Sequence, residues 1–409
     1  MKFTKFSIDE SILKNLHSLH YDKATPIQRA VIPVVQANHD VMARAKTGTG
    51  KTAAFALPII NKLVIDNGEG NQPSVLIIAP TRELVQQIYT SCCKYGLNTN
   101  VKIGVAFGGV SIKPQIKSFS VGVDIIVATP GRLLDLVLND HLSLKNISTL
   151  VFDEADRTLD LGFRAEVDRI LKEIENNRQT LLFSATFDDA IYKFSNELLN
   201  EPKIITIDDK NEVSDNIEQL VYTVDSDRKR ELLSYIIGSK NWQQVLVFTR
   251  TKKTADELTK EMCKDGIKSL SFHGDKSQGA RDKALLEFKQ GKVRALVATD
   301  VAARGIDINN LEFVVNFELP YVAEDYVHRI GRTGRAGNKG VALSLVSPSE
   351  TWLLTAIEKV IESRLLQQWF PGYEPDLTKT EPPKRSESKK KIRNKILKKS
   401  SKNNKHRSR

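Results

Sequence analysis

The chain has 409 residues, 40% hydrophobic and 27% charged, with a formal net charge of +11. That length allows two or three domains, and the composition is that of a globular protein with no run of about 18 apolar residues to span a membrane. Three cysteines, Cys92, Cys93 and Cys263, lack C-x-x-C spacing, and the N-terminus lacks an apolar signal core, which argues against a disulfide framework, a zinc site and export; the expected location is cytoplasmic.

Ile8, Ile12, Leu13, Leu16 and Leu19 fall at helical spacing, so residues 6 to 28 read as a helix followed by a turn. Gln28 ends this segment with an amide, which offers an adenine edge both a donor and an acceptor. Val41 to Ala56 then reads as a strand, a phosphate loop and a helix N-terminus in series. Backbone N–H groups of the loop Ala45, Lys46, Thr47, Gly48, Thr49 and Gly50 would cradle phosphate oxygens. Lys51 would reach the β- and γ-phosphates, and the Thr52 hydroxyl would ligate Mg²⁺. Ala45 stands where the loop template has its first glycine, which requires φ below zero at that residue.

Further on, short apolar runs (75–79, 125–128, 150–152 and 180–183) alternate with helical segments. Such runs predict a parallel sheet covered on both faces, with ligands bound beyond the carboxyl ends of its strands. The polar clusters after these runs should therefore share one edge with the phosphate loop. They are Pro80 to Glu83, Thr129 to Arg132, Asp153 to Asp156 and Ser184 to Thr186. Residues 207–216 are polar and without periodicity, the mark of a linker. A second series of runs (245–248, 270–272, 295–298, 313–315 and 341–345) predicts another parallel sheet, without a phosphate loop. The predicted organisation is α/β: domain 1 over 1–208, a linker over 209–217, domain 2 over 218–370, and a disordered basic tail over 371–409. Residues 384–409 hold 13 Lys/Arg and one Glu, a net of +12 against +11 for the whole chain, so the remainder is at −1. Such an arm suits a polyanion, nucleic acid above all.

Asp153 can hold the Mg²⁺ that Thr52 touches, and Glu154 can orient or deprotonate an attacking water. Asp156 suits a partner near Ser184 or in the second half better than the metal. In the segment His328 to Arg335, glycines make a tight, backbone-exposed stretch, and Arg332 and Arg335, three apart, could project together into a neighbouring site. Asp307 could accept from ribose hydroxyls, and Thr299 and Arg304 could bind a nucleic-acid strand or couple two ligands. Thr81, Arg82, Gly108, Gly109, Thr129 and Arg132, with Gly274, Gln278 and Arg281, suit sugar–phosphate contacts that ignore base identity. No aromatic ladder interleaves them, which disfavours stacking as the main grip.

In this order the motifs resemble those of DEAD-box ATP-dependent RNA helicases, from Phe6 to about Val346. Phe6 with Thr25 to Gln28 resembles the family's adenine-reading element, and Ala45 to Thr52 its phosphate loop, where alanine in first place is normal. Asp153 to Asp156 is the string that names the family, and Ser184 to Thr186 resembles its link between hydrolysis and unwinding. Gln278 with Arg281, Ala298 to Asp307, and His328 to Arg335 resemble its second-domain elements. One departure is His20, Tyr21 and Ala24 where the family has Gly-Tyr and Pro. Glu318 to Pro320, Glu324 to His328 and Pro371 to Pro375 are similar to the bacterial RhlE-type branch. The resemblance implies two tandem RecA-like domains, ATP and Mg²⁺ as cofactors, and RNA-stimulated ATP hydrolysis. It implies single-stranded RNA across the two domains, local unwinding of short duplexes, and coupling through Asp156, Ser184, Thr186 and His328. A monomer is expected, with ribosomal or degradosome proteins as possible partners. The rival readings are a DNA helicase of the same superfamily and a non-enzymatic RNA-annealing chaperone.

Overall fold

The computed structural model describes residues 1–45, 48–66, 72–207, 216–303, 308, 311–334, 338–376 and 378. The chain forms two compact units. The first is built on β1 (Val41–Arg44), β2 (Val75–Ile78), β3 (Ile103–Ala106), β4 (Ile125–Ala128), β5 (Thr149–Phe152), β6 (Gln179–Ser184) and β7 (Lys203–Thr206). They make one sheet in the order β3-β4-β2-β5-β6-β1-β7, with every pairing parallel. Successive residues of a strand point to opposite faces, so an all-apolar run must be covered twice. Val75 and Ile77 pack on one face with Phe55 and Phe183, while Leu76 and Ile78 pack on the other with Phe152 and Phe194. All carboxyl ends lie on one edge, as the sequence predicts.

The second unit carries β8 (Ile217–Thr223), β9 (Val245–Thr249), β10 (Ser269–Phe272), β11 (Ala295–Thr299), β12 (Phe313–Asn316), β13 (Gly340–Val346) and β14 (Gln367–Gln368). Their order is β10-β11-β9-β12-β13-β8-β14, again all parallel. Counted from the first strand of each sheet, both orders are 3-4-2-5-6-1-7, so the two units share one topology. The tandem RecA-like α/β fold class therefore stands.

Several elements differ from the sequence reading. Pro26–Gln36 is a second helix rather than the end of a turn, started by Thr25 with Pro26 in the first turn. β3, β7, β8 and β14 were not anticipated. β3 contains a glycine and is half-buried at alternate positions, and β8 mixes Glu218 and Gln219 with its apolar residues, so neither reads as a continuous apolar run. Ile217, placed in the linker by the sequence, is the buried first residue of β8. The tail does not begin at 371. Tyr373 packs against Phe370 and Tyr235, the Gly372 carbonyl accepts from Arg228, and Pro375 is buried. The rest of the linker and residues 384–409 lie outside the described residues. Among the described residues, no helix is long and apolar enough to cross a membrane.

Candidate nucleotide and RNA site

The site of the first unit grows from β1, β5 and β6, which are neighbours in the sheet. After β1, Ala45 donates its N–H to the Ser184 carbonyl at 3.1 Å, which ties the loop to the end of β6. Ala45 is not among the residues with positive φ, as its side chain requires, whereas Gly48 and Gly50 are at +89° and +94°. The loop turns into the helix Lys51–Ile65. Lys51 is buried, and its ammonium donates to the Ala45 carbonyl at 3.0 Å, so it arches over the loop it follows. Thr52 is half-buried in the first turn.

Asp153 follows β5 at 2% exposure, its Oδ1 accepting from the Glu154 N–H at 3.0 Å. Burial raises its pKa to about 6; Lys51 pulls it down, and Glu154 pushes it up again. Glu154 sits in the left-handed region at φ 51°, a strain of the kind concentrated at functional sites. Asp156 Oδ2 accepts from the Ala185 and Thr186 N–H groups at 3.1 Å each and from the Thr186 hydroxyl at 3.2 Å. Of the two partners open to Asp156 in the sequence, the group beside Ser184 is the one found.

Gln28 does more than the sequence suggests. Its Oε1 accepts from the Thr25 N–H at 2.9 Å, and its Nε2 donates to the Gly50 carbonyl at 3.1 Å. One side chain thus caps its own helix and grips the last residue of the phosphate loop. A Cβ at Gly50 would run into that amide. Phe6 is buried, 6.1 Å from the Phe3 ring. The departures noted nearby have local reasons. Ala24 donates its N–H to the Met1 carbonyl at 2.9 Å, a bond proline cannot make, and His20 adopts the left-handed φ of 58° that glycine takes at less cost.

The same edge continues over β2, β4 and β3. Thr81 caps the helix Arg82–Tyr95 by accepting from Leu84 N–H at 3.3 Å. Gly109, at φ +78°, leaves room for the Arg82 guanidinium, which a Cβ there would strike. Thr129 is buried at the N-cap position of the helix Pro130–Leu138, without a side-chain capping bond. Arg132 Nη2 donates to the Val110 carbonyl at 3.0 Å, while its buried Nε and Nη1 make no hydrogen bond among the described residues.

In the chain of the second sheet, Gly274 follows β10, Gln278 opens the helix Gln278–Lys289, and the Arg281 guanidinium lies 5.2 Å from the Phe272 ring. Thr299 is buried at the end of β11. His328 is half-buried on the helix Ala323–Ile330. The two described arginines of that segment, Arg329 and Arg332, differ in their surroundings. Arg329, 1% exposed, is spent inside the unit on Asp300, on Asn316 Oδ1 at 3.0 Å and on the Glu318 carbonyl at 2.6 Å. Arg332 follows the helix end at 4% exposure, its carbonyl accepting from Leu311 N–H. Thr47, Arg304, Asp307 and Arg335 lie outside the described residues.

Residues 25–194 match the family model described as DEAD/DEAH box helicase, and residues 228–337 match the helicase conserved C-terminal domain. The chain is 41% identical over 373 residues to the ATP-dependent RNA helicase CshA of Listeria monocytogenes, covering 91% of this chain and 71% of that one. The chain belongs to the DEAD-box helicase family. It is also 39% identical over 363 residues to the DEAD-box ATP-dependent RNA helicase CshA of Bacillus subtilis, covering 89% and 73%. Among solved structures it is similar to S. cerevisiae Dbp5 bound to RNA and ADP BeF3, with a TM-score of 0.80 and 29% identity over 97% of this chain and 99% of that one. The DEAD-box helicase Mss116 bound to ssRNA and UDP-BeF gives 0.81 and 29%, covering 92% and 80%. Among the buried amides that sequence reasoning passed over in this DEAD-box chain is Asn61, signalled by an Asn amid the apolar residues of Ile59 to Val64.

Proposed function

We infer that this chain is an ATP-dependent RNA helicase that couples ATP hydrolysis to local unwinding of short duplexes or remodelling of ribonucleoproteins. The observation that carries the reading is the meeting, on one sheet edge, of Lys51, the buried pair Asp153 and Glu154, and the Asp156 link to Ser184–Thr186. On ATP binding, Lys51 exchanges the Ala45 carbonyl for phosphate oxygens, and Gln28 and Phe6 take the base. Mg²⁺ fits the same edge. Asp153 is a buried carboxylate beside Lys51, and no group of three His, Cys, Asp or Glu among the described residues could hold a metal alone. That is the pattern of an ion held by one carboxylate, the Thr52 hydroxyl, phosphates and water. When bound, it offsets charge on the transferring phosphates. Glu154 orients the attacking water, and Arg332 and Arg335 supply cations from the second unit. Arg132 supports the RNA reading: its buried Nε and Nη1 make no hydrogen bond among the described residues, Nε lying 3.8 Å from Asp135 Oδ2, and both nitrogens suit a phosphate oxygen. Binding across both units is part of this proposal.

Lys51→Ala and Glu154→Gln should each lower RNA-stimulated ATPase by roughly 100-fold or more. Near-normal turnover in Glu154→Gln would remove its role. Stimulation by DNA equal to that by RNA of the same sequence would favour the DNA-helicase alternative. The proposal extends to a cytoplasmic monomer, in keeping with three free cysteines, and to ribosomal or degradosome proteins as partners. The RhlE-type branch rests on Glu318–Pro320, Glu324–His328 and Pro371–Pro375, whereas the relatives named above are CshA proteins.

A further inference from the structure

Asn61 lies on the helix that begins with Lys51, about 15 Å further along at 1.5 Å per residue. It is 4% exposed, and both ends of its amide reach the N-terminal segment. Its Oδ1 accepts from the Asp9 N–H at 2.7 Å, and its Nδ2 donates to the Ser7 carbonyl at 2.9 Å. The Ser7 carbonyl also accepts from Gln36 Nε2 at 3.0 Å. Immediately before this clamp stands Phe6. Its carbonyl accepts from Ile8 N–H at 2.7 Å and its N–H donates to the Phe3 carbonyl. The two parts of the base-reading element are therefore fastened to one helix at two points, Gln28 at its cap Gly50 and the Phe6 segment at Asn61. The helix carries Pro58 between these points, and its buried residues Ala53 to Leu57, Ile59 and Ile60 hold it in the core, so this arrangement sets the spacing between the phosphate loop and the base pocket.

We propose that Asn61 is a positioning residue for nucleotide selection, holding Phe6 in the geometry that distinguishes adenine from other bases. The inference rests on the reading of Phe6 and Gln28 as the base element and adds to it the residue that places Phe6. Removing the amide leaves the Ser7 carbonyl on Gln36 alone and takes the acceptor from the Asp9 N–H, so the ring spends less time in the binding geometry and adenine loses its advantage. Phosphate and metal handling by Lys51, Thr52 and Asp153 is untouched by this loss, so the effect falls on KM for ATP rather than on kcat.

The test compares steady-state ATPase and UTPase of the full chain with Asn61→Leu, Asn61→Asp and Phe6→Ala. The ratio of kcat/KM for ATP to that for UTP is taken within each preparation, so the folded fraction cancels. Asn61→Leu should raise KM for ATP on the order of tenfold and lower the ATP-to-UTP ratio toward that of Phe6→Ala. Asn61→Asp, which keeps the acceptor for Asp9 N–H and loses the donor, should fall between. A lower melting temperature in Asn61→Leu with an unaltered ratio would show a structural role only and overturn the proposal. An unaltered ratio in Phe6→Ala would instead refute the base element, and the proposal with it.

Discussion

Asp153 holds a charge where water barely reaches, and it does so at a cost. In the unfolded chain the carboxyl titrates near 3.8; folded, burial moves it to about 6. Between those values the folded form holds more protons, so stability falls as pH rises through the window, and the loss is complete above it. The cost at pH 7.5 is on the order of 3 kcal/mol. Asp153→Asn keeps the shape and the acceptor for Glu154 N–H while removing the charge. It should therefore abolish ATPase and raise the melting temperature in chelator, by more at pH 7.5 than at pH 5. An equal gain at both pH values would show that Asp153 is not the raised group. Its place at a strand end is legible in the sequence; burial, with Glu154 beside it, is what makes the charge costly, and Lys51 offsets only part of that cost.

At the scale of elements, the phosphate loop is held from three sides: by Ser184 at Ala45, by Lys51 arching back, and by Gln28 at Gly50. Gly50 answers two demands at once, a φ of +94° and clearance for the Gln28 amide. Gly50→Ala should lower stability by about 1–2 kcal/mol, read from denaturant midpoints. It should also weaken ATP binding on the order of tenfold, read by calorimetry. A loss of stability without a loss of affinity would mean that Gln28 does not govern the loop. The loop, its lysine and its helix were legible as a local string, because every part lies within about a dozen residues. The grip of Gln28 was not, because its partner lies 22 positions away and only the packing of two helices brings them together.

The repeated strand order exposes a contrast across the whole molecule. In the first sheet the edge after strands one, five and six carries Lys51, Asp153 and Ser184. Near the corresponding strand ends of the second stand Lys229, the first residue of the helix Lys229–Ser239, then Glu318 and Ser347. There the chain supplies its own anion. Glu350 takes the Lys229 ammonium on one oxygen and Arg250 on the other at 2.5 Å, and Arg250 also meets Glu318 at 3.2 Å. Burial alone would raise the Glu350 pKa, but Lys229 and Arg250 hold it below its ordinary 4.5. Its contribution is therefore present above 4.5 and lost as pH falls through the lower folded value. Glu350→Gln leaves Lys229 without its counter-charge and Arg250 with Glu318 alone, and should destabilise the second unit by on the order of 3 kcal/mol at pH 7. The deficit should shrink as pH falls below 4.5; a deficit that does not change with pH would discount the ion network. For the tail, deleting 384–409 should weaken RNA binding and flatten its salt dependence, by about 0.7 in log–log slope for each cation that meets a single-strand phosphate. An unchanged slope would show that the tail is no RNA arm.

What the sequence by itself determined is whatever depends on neighbours along the chain: apolar runs that must be buried on both faces, a loop whose glycines and lysine are consecutive, an acidic pair at a strand end, and a charge surplus gathered in one tail. Tertiary structure alone decided which polar groups share a partner. Asn61 ties Ser7 and Asp9 to the helix that Gln28 grips at Gly50, Arg329 is spent on Asp300 rather than offered outward, and Glu350 closes the edge of the second unit with an internal anion. The physical reason is that burial and hydrogen-bond pairing depend on distances in space, which residues tens of positions apart acquire only when sheets and helices have packed.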